Sequence, residues 1–151
     1  MIALLVAEEF PDIDAGKLIK MCLIHDFGEA VTGDIPSFKK TKTDEEKEAL
    51  AISALLKLLP EKVKNEFEGL FKEMAELETT EAKLFKALDK LEAIISHNEA
   101  PLETWLPLEY TENLAYGTEN VGFAPYLKML KEEIKNDSIQ KIGTGAERLQ
   151  S

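Results

Sequence analysis

Cysteine is nearly absent from this sequence: only Cys22 occurs in 151 residues, so the chain can form no disulfide within itself. Positive charge is also scarce, with 18 Lys and Arg against 29 Asp and Glu and a formal net charge of -11. Such a field repels a phosphate backbone and disfavours nucleic-acid binding. Membrane-spanning apolar runs and the features of a signal peptide are missing as well. These absences favour a protein of the reducing cytoplasm that neither enters a membrane nor binds nucleic acid.

Several catalytic motifs are missing too. The sequence has no glycine-rich phosphate loop, no paired cysteine motif and no context for a nucleophilic serine or cysteine. No alternation of apolar and polar residues predicts a strand, whereas helical periodicities recur along the chain. With 44% hydrophobic residues, we predict a single all-α domain over residues 1–142. The polar, glycine-containing residues 143–151 are predicted to form a mobile tail.

Capping patterns and apolar spacing predict where the helices lie. Thr43 and Glu46 form a capping box that would open a helix ending before Pro60. Thr79 or Thr80 would cap a later helix. Apolar residues at helical spacing mark two others: Val63, Phe67, Leu70, Phe71 and Met74, then Phe123, Leu127, Leu130 and Ile134.

Residues 25–36 are the most informative segment, because they place an imidazole and three carboxylates after an apolar run. That run, residues 18–24, is apolar almost all round, which predicts a helix buried on most sides. His25 and Asp26 at its end would point inward, where a bound cation offsets the cost of a buried charge. Nitrogen and oxygen donors together favour a catalytic Mn, Co, Zn, Fe or Mg ion. The alternative is a histidine that stabilises the helix dipole.

Two further carboxylates follow this pair. Glu29 would lie on the same helical face as His25 and Asp26 if the last turn continued that far. Gly33 then predicts a turn over residues 33–36 that brings Asp34 back toward the helix end. The segment thus predicts one acidic cluster beside the histidine.

Asp89 is the other notable acid. It belongs to a predicted amphipathic helix over residues 81–95, in which Asp89 lies at the edge of the apolar face and apart from the outward lysines. The apolar stripe consists of Leu84, Leu88, Leu91 and Ile95, and the outward lysines are Lys83, Lys86 and Lys90. An acid in that position needs a partner, either a neighbouring Lys or Arg or a metal ion.

These motifs together resemble those of the HD-domain metal-dependent phosphohydrolase superfamily, and within it the branch of 5'-deoxynucleotidases. The resemblance rests on the pair at residues 25–26, on Glu29 with residues 33–34, and on residues 88–92. It implies an HD-domain-like helical bundle. The resemblance implies that His25, Asp26 and Asp89 are the metal ligands. It also implies that one of Glu29 and Asp34 positions the water or substrate and that the other protonates the leaving 5' oxygen.

The resemblance also implies a function, and it implies one metal-binding histidine that this chain does not supply. The function is a cytoplasmic hydrolase of nucleoside 5'-monophosphates, with a nucleotide as substrate and a homodimer as its assembly. The alternatives are a hydrolase of cyclic or polyphosphorylated nucleotides, or a non-catalytic helical module that binds a nucleotide or a partner protein. The family takes one more metal-binding histidine from an earlier helix, and residues 1–10 resemble the end of that helix. We therefore expect this 151-residue chain to bind metal weakly and to have little activity.

Other polar and aromatic residues are weaker candidates. His97 ends the Asp89 helix, where a dipole-facing role is favoured over metal binding. Lys39 and Lys40 could meet a phosphate, although we expect them to face solvent. The segment after Pro101 is predicted to be irregular, and its aromatic residues are interpreted as core plugs rather than as walls of a base pocket. These are Trp105, Tyr110 and Tyr116.

Overall fold

The computed structural model describes residues 1–35 and 39–148 of the chain. Within these ranges the chain is helical and has no strand, which confirms the all-α prediction. The helices are α1 Ile2–Ala7, α2 Ala15–Ile24, α3 Glu29–Thr32, α4 Lys42–Leu56, α5 Glu61–Glu76, α6 Thr80–Glu99, α7 Glu109–Ala115 and α8 Pro125–Arg148, with a 3₁₀ helix at Leu102–Thr104. Among the residues described, none of these helices combines the length and apolarity needed to cross a bilayer.

The chain divides into two compact units, and the division falls inside α6. We call Asp14–Ala82 the His25 unit, and Met1–Ile13 with Lys83–Ser151 the Asp89 unit. The prediction of one domain over residues 1–142 stays a prediction. Helix α8 runs to Arg148, and residues 149–151 lie outside the described ranges, so the predicted mobile tail over residues 143–151 also stays a prediction.

In the His25 unit, α2 is fixed at its start and along one face. The Asp14 side chain caps it by accepting a hydrogen bond from the Lys17 amide at 2.9 Å. The buried residues are Leu18, Met21 and Ile24. Ile19 and Cys22 are partly buried, so the prediction of burial on most sides is confirmed except along the side that carries Lys20 and Leu23, where Leu23 is 78% exposed. Helix α2 contacts α5, and this packing sets where its last residue, and so His25, lies.

Helix α4 begins earlier than predicted. Its N-cap is Thr41, not Thr43: the Thr41 hydroxyl accepts from the Asp44 amide, and the Asp44 carboxylate accepts from the Thr41 amide at 3.1 Å. The pattern of threonine followed three residues later by an acid occurs twice, two residues apart. Thr41 prevails because it has the extended conformation of a cap, whereas Thr43 lies inside the helix. The predicted end before Pro60 is confirmed, since α4 ends at Leu56.

Gly28 allows α3 to lie directly on α4. A Cβ atom at this position would be 2.7 Å from Glu48 Cγ and 2.9 Å from Ile52 Cγ1. We therefore expect Gly28→Ala to lower the free energy of unfolding by about 1–3 kcal/mol, the usual cost of overpacking. Gly69→Ala in α5 is the matched control, because a Cβ atom added there would have no neighbour within 4 Å; for this variant we expect a gain of about 0.5–1 kcal/mol from helix propensity. Urea denaturation of both variants measures the difference, and equal effects would contradict the close packing.

The Asp89 unit contains most of α6 with α7 and α8. The predicted apolar stripe of α6 is confirmed, since Leu84, Leu88 and Leu91 are buried, with Ile94 rather than Ile95 as the last fully buried residue. Thr79 is the capping residue: its hydroxyl accepts from the Ala82 amide at 3.2 Å.

The segment after Pro101 is predicted to be irregular, but it contains a 3₁₀ helix and helix α7, so that prediction is wrong over these residues. The buried residues of α7 are Glu109 and Asn113, so it lacks the apolar periodicity that marks an amphipathic helix. The Glu109 carboxylate accepts from the Leu106 amide at 2.7 Å and so holds the start of the helix. Trp105 beside it is buried and donates its indole N–H to the His97 carbonyl at 2.8 Å. That contact supports the interpretation of Trp105 as a core plug.

Candidate metal centre

His25 is held in one ring orientation by the end of its own helix. It is the C-cap residue of α2, and its Nδ1 lies 3.0 Å from the Cys22 carbonyl oxygen. A carbonyl oxygen can only accept, so Nδ1 carries a proton and donates it. The other ring nitrogen, Nε2, is then the atom with a lone pair in the neutral ring. Metal-binding histidines are commonly oriented in this way, by a hydrogen bond from the nitrogen that does not bind the metal.

Asp26 faces that second nitrogen. Its Oδ2 atom lies 3.0 Å from His25 Nε2, and the two side chains are 27% and 59% exposed for His25 and Asp26 respectively. A ring protonated at Nε2 would form an ion pair with this carboxylate, whereas the lone pair of a neutral ring would repel it. A divalent cation bound by both atoms would replace this repulsion with two favourable contacts. The donor chemistry of the pair therefore fits a metal ion.

Glu29 follows the pair along the chain after a turn rather than within a continuous helix. Helix α2 stops at Ile24, and the chain tightens through hydrogen bonds from the Phe27 amide to the Ile24 carbonyl and from the Glu29 amide to the Asp26 carbonyl, each 2.9 Å. These three-residue steps break the predicted helical continuation, and α3 starts anew at Glu29. Gly33 has φ 77°, which is consistent with the predicted turn, whereas Pro36 at its end lies outside the described residues.

The acids of this unit influence one another electrostatically. Burial raises the pKa of Glu29 above its ordinary value, the charges of Asp26 and Asp34 raise it further, Lys40 lowers it and Glu48 adds a smaller increase. Several carboxylates and the Lys40 ammonium group thus lie in one region of the His25 unit. A surplus of negative charge of this kind attracts cations.

Asp89 has the ion pairs that the sequence offered as an alternative to metal binding. Its Oδ2 atom accepts from Lys86 Nζ at 3.1 Å and lies 3.5 Å from Lys90 Nζ. Lys90 also donates to the Tyr116 hydroxyl at 2.6 Å. Burial lowers the pKa of Lys90, but the Tyr116 hydrogen bond and the Asp89 charge outweigh it and raise the pKa. In its own unit, Asp89 therefore lies within ion-pair distance of the ammonium groups of Lys86 and Lys90.

The predicted ligand set draws on both units. His25 and Asp26 lie in one, together with Glu29 and Asp34, and Asp89 lies in the other. Within either unit, the described residues include no group of three or more His, Cys, Asp or Glu side chains arranged to hold a metal ion. The convergence of Asp89 with the His-Asp pair stays a prediction.

Two other predicted candidates have structural contacts. His97 joins α6 to α7: its Nδ1 lies 2.9 Å from Asn113 Oδ1, and its Nε2 lies 3.4 Å from Glu109 Oε1. Lys39 is exposed as expected. The solvent-facing role predicted for Lys40 is wrong, because its ammonium group pairs with Glu48 and lies 3.9 Å from Glu29 Oε1. Sequence spacing could not reveal this pairing, since it depends on how α3 and α4 pack together.

Comparison with known proteins places the chain in a family. The sequence profile of the family described as "HD domain" matches residues 1–131. The 5'-deoxynucleotidase HDDC2 of Dictyostelium discoideum is 38% identical over 98 residues, which are 63% of this chain and 51% of that protein. The protein of the same name from Danio rerio is 28% identical over 148 residues, 95% of this chain and 74% of the relative.

A solved structure agrees with these matches. The crystal structure at 1.37 Å of a predicted metal-dependent phosphohydrolase from Magnetospirillum magnetotacticum MS-1 superposes with a TM-score of 0.74 and 26% identity, covering 93% of this chain and 72% of that one. Against most of the curated relatives, the match spans about half of their length or less. The profile match and the shared all-helical fold agree with the motifs at residues 25–34, and the chain therefore belongs to the HD-domain phosphohydrolase family.

Proposed function

We propose that the protein is a metal-dependent phosphohydrolase that removes phosphate from nucleoside 5'-monophosphates, with deoxyribonucleotides as its main substrates. The observation that carries this proposal is the His25–Asp26 pair, whose Nε2 and Oδ2 atoms lie 3.0 Å apart with the ring oriented through Nδ1. The substrate class is suggested by relatives named 5'-deoxynucleotidase. A homodimer and a cytoplasmic location are parts of the same proposal.

His25, Asp26 and Asp89 are proposed to hold the divalent ion. When bound, such an ion polarises a phosphoryl oxygen and lowers the pKa of a bound water. The orientation of His25 by the Cys22 carbonyl prepares Nε2 for this role without a further ring rotation. The candidate ions are those of Mn, Co, Zn, Fe and Mg.

Glu29 and Asp34 are proposed to handle water and protons. Water attacks phosphorus, the bond from phosphorus to the 5' oxygen breaks, and the leaving oxygen takes a proton, which gives a nucleoside and inorganic phosphate. Because burial and nearby carboxylates raise the pKa of Glu29, this side chain holds a proton at higher pH than an ordinary glutamate. That property supports Glu29 as the proton donor and leaves Asp34 to position the water or substrate.

A non-catalytic nucleotide-binding module is the second candidate. The ion pairs of Asp89 with Lys86 and Lys90 favour it, because a ligand already paired with ammonium groups binds a metal less readily. The two candidates differ in turnover, and not only in binding.

Phosphate release from a nucleotide panel tests the proposal. The wild-type protein is stripped of metal and then reloaded with each divalent ion in turn. Each form is incubated with ribo- and deoxyribonucleoside 5'-monophosphates, cyclic nucleotides and nucleoside triphosphates. We expect metal-dependent release from the 5'-monophosphates, with the deoxy forms preferred. Release from only the cyclic or polyphosphorylated compounds would favour a hydrolase of those nucleotides. Nucleotide binding without phosphate release would favour the non-catalytic nucleotide-binding module.

A further inference from the structure

The start of α3 brings two carboxylates of like charge together. Gly28 lies so close to α4 that an added Cβ atom would also be 3.1 Å from the Glu48 backbone oxygen. Glu29 follows Gly28 directly, so its side chain begins beside the turn of α4 that carries Glu48. The Glu48 charge raises the pKa of Glu29, as expected for two neighbouring carboxylates. Without a cation these side chains would repel each other.

Lys40 supplies that cation. Its ammonium group forms an ion pair with Glu48 and lies 3.9 Å from Glu29 Oε1. The three side chains are shielded, with exposed fractions of 26% for Lys40, 21% for Glu29 and 15% for Glu48. An ordinary surface pair of this protein, Lys72 with Glu76, has fractions of 76% and 50%. Shielded charges interact more strongly than such surface pairs, which contribute little.

Lys40 stays protonated in this position because its pKa is raised. Burial lowers the pKa of its ammonium group, but the hydrogen bond and charge of Glu48, with smaller effects of Glu29 and Asp26, outweigh burial and raise the pKa above its ordinary value. Lys40 is therefore an ammonium ion throughout the neutral pH range. It can hold both carboxylates at once under the conditions in which the protein would act.

We propose that Lys40 is a positioning residue, which holds the Glu29 carboxylate beside α4 through its simultaneous pairing with Glu48. The proposal rests on the proposed function, because Glu29 is there the side chain that acts on substrate. It differs from two simpler roles for Lys40. In the first role, Lys40 only stabilises the fold through its ion pair with Glu48 on α4. In the second role, Lys40 binds the phosphate of the substrate directly.

A mutant cycle separates these roles, because a positioning residue acts only through the residue that it positions. The variants are Lys40→Met, Lys40→Arg, Glu29→Gln and the double variant Lys40→Met with Glu29→Gln. Lys39→Met is the matched control, since Lys39 is adjacent and exposed. The readouts are kcat and KM for a nucleoside 5'-monophosphate and the thermal midpoint of the metal-free proteins.

Lys40→Met is expected to lower kcat by about 10- to 100-fold, as loss of an orienting partner does, with KM little changed and with partial rescue in Lys40→Arg. In the Glu29→Gln background, Lys40→Met should have no further effect on kcat. An additional loss of kcat in that background, together with a lower thermal midpoint, would show that Lys40 only stabilises the fold. A raised KM that persists in that background would show direct phosphate binding. Either result overturns the proposal.

Crystal structures of the wild type and Lys40→Met decide the question even if the wild type hydrolyses none of the nucleotides. Inactivity would count against the proposed function alone. A Glu29 carboxylate that moves away from Glu48 or loses its order in Lys40→Met would still support its positioning by Lys40. A Glu29 side chain that is unchanged in place and order would overturn it.

Discussion

Replacement of His25 by alanine is expected to remove the divalent ion from the natural protein and to lower kcat by more than about a hundredfold. A partner that only orients a metal ligand costs about 10- to 100-fold when it is lost, and a direct ligand should cost more. Asp26→Ala should have the same effect, because its Oδ2 atom and His25 Nε2 lie 3.0 Å apart and face each other. Metal content measured by mass spectrometry, with kcat measured in parallel, tests both variants.

His97→Gln is the control for this experiment. His97 is the other histidine of the chain, and its ring nitrogens already face Asn113 and Glu109. We expect this variant to keep its metal, whatever it loses in stability. Full metal retention in His25→Ala, or equal metal loss in His97→Gln, would contradict the assignment of His25 as a ligand.

Glu29→Gln is expected to separate metal binding from turnover. The amide keeps the shape of the side chain but cannot give up a proton to the leaving oxygen, so kcat should fall by about 10²- to 10⁴-fold. The ion that His25, Asp26 and Asp89 are proposed to hold should remain. Glu46→Gln, an exposed position on α4, is the matched control and should leave both quantities unchanged.

Two outcomes would revise the role of Glu29. Metal loss as complete as in His25→Ala would make Glu29 a ligand. Unchanged turnover with unchanged metal content would remove Glu29 from the chemistry, and Asp34 would then be the remaining candidate for the proton donor.

The sequence predicts those helices whose buried face is apolar. Helix α5 has the predicted residues Leu70 and Met74 buried, and α6 has its leucine stripe in the core. Helix α7 buries Glu109 and Asn113 instead, and polar residues in a buried position leave no hydrophobic pattern to detect. The start of α4 is misplaced for another reason: two threonines offer nearly the same capping motif, and only the folded backbone selects between them.

For the candidate site, the sequence identifies residue types but not their contacts. It singles out His25, Asp26 and Glu29 from their spacing, and the geometry adds the hydrogen bond that orients the His25 ring. It assigns Lys40 to solvent, because a lysine in a polar loop is usually solvated. The pairing of Lys40 with Glu48 follows from the packing at Gly28, and no local pattern encodes it.

His25, Asp26 and Asp89 are proposed to hold one metal ion, and a crystal structure of the protein with Mn²⁺ tests this most directly. Anomalous scattering from the ion would locate it independently of the protein coordinates. We expect an anomalous peak within about 2.0–2.6 Å of His25 Nε2 and of a carboxylate oxygen from each of Asp26 and Asp89. A peak bound by other residues, or an Asp89 carboxylate too far from His25 to share the ion, would contradict the proposal.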